Sequence, residues 1–298
     1  MRRRAAVAAL LAAALLPTGC ATPRSGSLGP APTAPPATTA VAPAPPTSAS
    51  PPTSASPRPP AGPSRSAPPA PTAGPTRPRT VTVELWYVRD GRIAPTRRTR
   101  PATVATSRLA LAELAAGPTP AEAATGLTTL LPGGAEVTGI VDGVATVVSG
   151  PTGGDAPARR LREAQVVYTL TQFPTVRRVR LTAGPPVGQG EYADLLPPIV
   201  VTGPAIGGRV DSPVTVTGTA DVFEATVTVR VLDAAGRVVA TAFTTATCGT
   251  GCRGDYRIAV PYRVPREQPG AIEVYEVSAD DGTRAHVVTV PVTLTPPG

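Results

Sequence analysis

VATSRLALAELAAGPTPAE, residues 104–122, carries the punctuation from which the order of elements can be read. Leu111, Leu114 and Ala115 recur at helical spacing and share one face, with Ala105 and Leu109 beside it. Gly117 and then Pro118 stop that helix in the expected order. Thr119-Pro120-Ala121-Glu122 is a capping box: a hydroxyl and a carboxylate three residues apart each take one orphan backbone N–H. Pro120 occupies the first helical position, where a missing donor costs nothing. A second, short helix is therefore expected, ending at Gly126.

Working outward, VTVELWYV (81–88) is rich in β-branched and aromatic residues and reads as a strand. EVTGIVDGVATVV (136–148) reads as two strands turning at Asp142-Gly143. Asp155 and Pro157 open a longer helix to about Gln172, with Leu161, Ala164 and Tyr168 on one side, and Pro174 ends it. VRRVRLT (176–182) is a last strand. The order β-α-β-β-α-β predicts an α+β unit over 81–185, one antiparallel or mixed sheet with helices on one face. After a linker at 186–196 the pattern changes. Residues 197–298 alternate short apolar runs with turn signals at Gly207-Gly208, Asp211-Ser212-Pro213, Ala235-Gly236 and Asp281-Gly282. About seven strands and no helix predict an all-β immunoglobulin-like sandwich.

The chain starts MRRRAAVAALLAAALLPTGCATPR. Three arginines precede an apolar run from Ala5 to Leu16, too short for a bilayer that takes about 20 residues to cross. Thr18-Gly19-Cys20 resembles a bacterial lipoprotein lipobox, with Leu16 four residues before the cysteine. The resemblance implies a signal peptide over 1–19 and a diacylglyceryl group, palmitate among its acyl chains, on Cys20. Multiple acyl chains anchor stably where one does not. The localisation implied is the outer face of a cell membrane. An ordinary cleaved signal and a membrane-spanning anchor are the alternatives. Residues 20–80 are expected to be a disordered tether, since nineteen prolines among Ala, Ser and Thr in 21–80 leave little to bury. Fully extended, such a tether reaches roughly 190 Å.

The net charge of +8 suggests a nucleic-acid partner until it is divided. Residues 1–80 hold eight arginines and no acid; 81–196 hold twelve arginines and ten acids; 197–298 hold eight and ten. Both folded units are therefore nearly neutral, and nucleic-acid binding is not expected. There is no lysine.

Candidate chemistry is sparse. Cys248 and Cys252 in TCGTGC are separated by Gly249 and Gly251, which permit the tight turn a disulfide needs; outside the cytoplasm an oxidised pair is expected. A zinc set would need more ligands than these and the single histidine, His286, which reads as a strand residue. No catalytic residue, metal or cofactor is expected. Glu273 and Glu276 lie at an odd offset, on opposite strand faces, and Asp280 and Asp281 read as turn residues. Arg253-Gly254-Asp255 matches an adhesion tripeptide, and coincidence is the simpler reading in a chain this rich in Arg and Gly. Trp86 and Tyr87 are adjacent on a strand, so one should point inward and one outward, the outward member being the candidate for a binding surface.

LAELAAGPTPAE, GLTTLLPGGAEV, DGVATV and QVVYTLTQFPTVRRVRL closely resemble the sporulation and spore germination (GerMN) domain. VTVTGTADVFEATVTVRVLD, GDYRIAVPY and HVVTVPVTL resemble the immunoglobulin-like domain of bacterial spore-germination proteins. The resemblance implies non-enzymatic envelope modules that bind or scaffold envelope proteins or peptidoglycan. The alternatives are a glycan-binding lipoprotein and an envelope hydrolase working with carboxylates alone.

Overall fold

The computed structural model describes residues 79–150, 153–181 and 184–297. The leader, Cys20 and the tether up to residue 78 lie outside the described residues. Among the described residues, no helix is long and apolar enough to cross a membrane.

The first unit opens with a hairpin. Strand β1 (Thr80–Arg89) pairs along its whole length with β2 (Arg92–Pro101). Asp90 and Gly91 form the turn, both at positive φ (51° and 71°), as a two-residue hairpin of this twist requires. Strand β2 is absent from the β-α-β-β-α-β reading, because RIAPTRRTRP has four arginines and two prolines where a strand usually carries apolar residues. What makes it a strand is the turn before it and the ions that bury it.

Helix α1 (Thr106–Ala115) follows, then α2 (Pro120–Ala123) with its capping box formed as expected: Thr119 Oγ1 accepts from Glu122 N, and Glu122 Oε2 accepts from Thr119 N at 2.7 Å. Strands β3 (Glu136–Val141) and β4 (Val144–Val148) turn at Asp142-Gly143. Helix α3 (Ala156–Leu170) is capped by Asp155, whose Oδ1 accepts from Ala158 N. Strand β5 (Arg178–Leu181) then runs parallel to β4. The unit is α+β as the sequence predicts, but the strands form a β1–β2 sheet and a β3-β4-β5 sheet rather than one.

The division has a physical cause. The edge of β1 that does not face β2 is paired by a helix. Gln165, Thr169 and Gln172 stand at helical spacing on one stripe of α3 and its C-terminal turn. Gln172 gives its Nε2 to Glu84 O and takes Glu84 N on Oε1. Thr169 Oγ1 accepts from Trp86 N at 3.0 Å, and Gln165 Nε2 donates to Trp86 O at 3.1 Å. Gln165 Oε1 also accepts from Leu130 N. Gln165 and Thr169 are fully buried, so these backbone groups have no water to fall back on. Around this stripe, Leu85, Tyr87, Leu111, Leu114, Val167 and Leu170 make the core.

Arg98 is the second organising group. It lies buried on β2, its guanidinium paired with Glu122 on α2 and with Glu113 on α1 (3.0 Å), and donating to Gly117 O. Its guanidinium sits 5.6 Å from the Tyr87 ring centre. Arg100 completes the set by forking onto both oxygens of Glu113 at 2.7 and 2.8 Å. Burial pushes the Glu122 carboxyl upward, but hydrogen bonds from Arg98 and Thr119 outweigh it and hold the pKa below the usual carboxylate value. The Arg100 fork does the same for Glu113.

The second unit is a sandwich. Strands β6 (Ile199–Gly203), β7 (Arg209–Val210), β8 (Val214–Ala220), β9 (Thr226–Leu232), β10 (Val238–Thr245), β11 (Gly254–Val260), β12 (Gln268–Val277) and β13 (Arg284–Leu294) form two sheets, ordered β10-β9-β12-β13-β7 and β11-β8-β6. That is one strand more than the seven counted, because β7 is two residues long and pairs in parallel with β13. A single 3₁₀ turn, Phe223–Ala225, also interrupts the all-strand expectation. Val214 and Val216 face Val227, Val229, Val231, Ile272 and Val274 across the core. Tyr256 enters this core over Gly218, where a Cβ would come within 1.9 Å of Val200 O; the Tyr256 hydroxyl donates to that same carbonyl.

Removing Arg98 leaves Glu122 buried without its cation, while Glu113 keeps the Arg100 fork. We predict that Arg98→Ala costs about 3–5 kcal/mol, the typical loss when one partner of a buried pair is deleted. The parent chain should be fully stabilised above the unfolded carboxylate pKa of about 4.3. It should lose that stability as pH falls through the depressed folded values of Glu113 and Glu122. Denaturant melts between neutral and acid pH check both, and the acid-side slope should be shallower in the variant.

Candidate functional site

The segment read as a linker, 186–196, is built into the first unit. Residues Gln189–Leu195 form a 3₁₀ turn whose Tyr192 is buried, its hydroxyl donating to Glu163 Oε2 at 2.9 Å. Arg160 lies 5.7 Å from the Tyr192 ring centre and forks onto Asp194. Leu196 also enters the first core. Strand β6 then serves two cores at once by simple alternation: Val200 packs into the first, Ile199 and Val201 into the second.

Two arginines grip the carbonyls between. Arg92 from β2 donates to Asp194 O and to Leu196 O at 2.8 Å. Arg253, just before β11, donates to Pro197 O at 2.7 Å, Pro198 O at 3.3 Å and Thr219 Oγ1 at 3.3 Å. Burial pushes the Arg253 guanidinium pKa down, and the charge of Asp221 opposes that shift. Arg253 is thus turned into the seam, and Gly254 behind it sits where a Cβ would meet Cys248 N at 2.1 Å. Arg253 and Gly254 of the tripeptide are engaged in packing, and Asp255 is exposed.

The loop that delivers Arg253 is closed by a Cys248–Cys252 disulfide, with Cα atoms 5.6 Å apart. Thr250 and Gly251 inside it have positive φ; Gly251 N donates to Asp221 Oδ1 at 2.7 Å and Thr250 N to Val222 O at 3.0 Å.

Beside this seam lies a cleft of about 550 Å³. Glu84, Trp86 and Tyr168 line one wall, Thr219, Asp221 and Arg253 the other, with Gln189 between them. The Trp86 and Tyr168 ring centres are 4.7 Å apart at a tilt of 48°. The indole N–H donates to Glu84 Oε1 at 3.0 Å, and Arg97 takes the other Glu84 oxygen at 3.1 Å. Both oxygens of that carboxylate are therefore engaged. The expectation that one of Trp86 and Tyr87 points outward is corrected here. Trp86 is only 6% exposed and Tyr87 not at all. Helix α1 covers one face of β1, where Tyr87 OH donates to Glu113 O and Gly117 O. Helix α3 covers the other with Tyr168. Only Trp86 reaches the cleft.

The remaining candidates make contacts within the fold. His286 stands at positive φ (53°) where β13 bulges against β12, its Nε2 3.7 Å from Glu276 Oε2. Glu276 also accepts from Phe223 N. Glu273 is shared by Arg230 and Arg284. Asp281 Oδ1 accepts from Thr283 N, a turn role. Among the described residues, no three His, Cys, Asp or Glu side chains gather as a metal site.

Residues 74–184 match the family model described as "Sporulation and spore germination", and 198–283 match "Immunoglobulin-like domain of bacterial spore germination". The chain carries these two domains in tandem. The structure of the "Tandem GerMN domains of the sporulation protein GerM from Bacillus subtilis" aligns at 16% identity over 73% of this chain, with a TM-score of 0.31. This chain spans 61% of the length of that one. No curated protein matches. The boundary between the GerMN-like and immunoglobulin-like domains falls at the carbonyls that Arg92 and Arg253 hold.

If those two arginines couple the domains, calorimetry of the parent chain shows one unfolding transition. The double variant Arg92→Ala/Arg253→Ala should split it in two, with the immunoglobulin-like transition the lower. A single, uniformly shifted transition in the variant would contradict the coupling.

Proposed function

We propose that the protein is a non-catalytic component of the cell envelope, held to the membrane through lipid on Cys20, whose two domains together form a docking body for other envelope components. The observation that carries the reading is the seam. Strand β6 contributes to both cores, and arginines of the two domains grip neighbouring carbonyls, Arg92 that of Leu196 and Arg253 that of Pro197. A partner then meets one continuous surface rather than two independently moving modules. The ionic groups support a structural use. Arg98 with Glu113 and Glu122, and Glu273 with Arg230 and Arg284, bind elements of the fold to one another. A long tether raises the local concentration of such a body near partners without adding contacts.

A second reading, direct binding of wall glycan or peptidoglycan, is favoured by the cleft, which combines an aromatic edge from Trp86 with the polar groups of Thr219, Asp221 and Arg253. Cleft volume and mixed lining suit a small polar ligand segment.

In-cell crosslinking of the chain followed by mass spectrometry separates the readings. Docking predicts envelope proteins as the recovered neighbours, and Cys20→Ser should release the chain from the membrane fraction and remove those crosslinks. Sedimentation of the chain with purified wall, lost in Trp86→Ala, would favour the second reading. Recovery of membrane lipid alone, or a turnover abolished by changing one acidic residue, would overturn the first.

A further inference from the structure

Strand β10 lies at the edge of the five-stranded sheet and pairs, among the described residues, with β9 alone. Its outer row of backbone N–H and C=O groups is therefore open to another strand as far as Thr245; just past the strand, Thr247 N donates to Asp255 O at the start of β11. Natural edges are usually guarded by charge, proline or brevity. This one has none of them: VVATAFTT is eight residues long, without a charged residue or a proline. Its one irregularity is a bulge between Val238 and Ala240, which leaves 240–245 in regular register.

The outward side chains sharpen the point. Ala240 and Ala242 pack toward the sandwich core, so Thr241, Phe243 and Thr245 face solvent. Phe243 is 75% exposed. It shares a row with Thr228 and Tyr275 across the sheet. Tyr275 in that row is covered by the guanidinium groups of Arg230 and Arg284, whereas Phe243 is left bare. Val238 at one end of the edge and Phe223 near the other are each about half exposed.

We propose that β10 is a self-association edge, pairing antiparallel with β10 of a second copy about a two-fold axis through Phe243. Several features favour a second copy over an unrelated strand. An isologous contact must be complementary to itself, and the sequence around Phe243 nearly is. With Phe243 opposite its own counterpart, Thr241 faces Thr245 and Ala242 faces Thr244. Aromatic–aromatic and Thr–Thr pairs both stabilise antiparallel strands. No like charges meet along the pairing. Two five-stranded sheets become one of ten strands, and the Phe243 side chains of the two copies cover each other.

Sedimentation velocity of the full chain carrying Cys20→Ser, which keeps lipid out of the measurement, tests this across a concentration series. The expected result is a reversible monomer–dimer equilibrium. Phe243→Lys, which sets two like charges on the axis, should weaken it on the order of tenfold or more while leaving the unfolding temperature unchanged. Phe243→Cys should form a covalent dimer under mild oxidation. A chain that stays monomeric throughout, a dimer indifferent to Phe243→Lys, or a dimer in which Phe243→Cys does not crosslink would overturn the proposal.

Discussion

The fold rests on a helix standing in for a strand. Helix α3 presents Gln165, Thr169 and Gln172 to the open edge of β1 and satisfies the backbone of Glu84 and Trp86 there. A buried backbone donor or acceptor left unpaired costs about 1–3 kcal/mol, so three polar side chains in a hydrophobic core are a requirement rather than a defect. The consequences reach outward. Pairing with α3 fixes β1, which places Trp86 against Tyr168 at the edge of the cleft. It frees the other edge of β1 for β2, and β2 carries both Arg98 into the helices and Arg92 to the domain seam.

Arginine does most of the joining in this lysine-free chain. Its planar fork donates in several directions at once, and the structure uses that repeatedly. Arg98 joins three elements, Arg253 joins three carbonyl or hydroxyl groups, and Arg160 joins α3 to the 3₁₀ turn. Each domain is nearly neutral, its arginines close to balanced by acids. Strand β6 ties the two domains through the cores it shares, and the uncharged edge strand β10 leads into the disulfide loop.

Where the chain's punctuation is local, the fold was legible. Thr119-Pro120-Ala121-Glu122, Asp142-Gly143 and Asp155-Ala156-Pro157 each dictate a structure within four residues, and each forms it. Alternation over Val214–Ala220 and Thr226–Leu232 likewise marks the sandwich. Asp90-Gly91 carries the same turn signal as Asp142-Gly143, yet the strand after it is hidden by arginines whose burial depends on Glu113 and Glu122. The polar stripe of α3 gives no apolar signal, and helical periodicity alone points to Leu161, Ala164 and Tyr168. The cleft draws residues from positions 84 to 253, and no spacing rule connects them. Trp86 and Tyr87 show the limit of alternation: it separates the faces of a strand, but a strand covered on both faces exposes neither.

The measurement that bears most directly on the account is native-state hydrogen exchange at the amides of Glu84 and Trp86. If side chains of α3 complete the edge of β1, both amides exchange only through global unfolding, and Thr169→Val speeds Trp86 alone by a local opening. Exchange of the parent's Trp86 amide at the rate of an open sheet edge would show that the helix does not take the place of a strand.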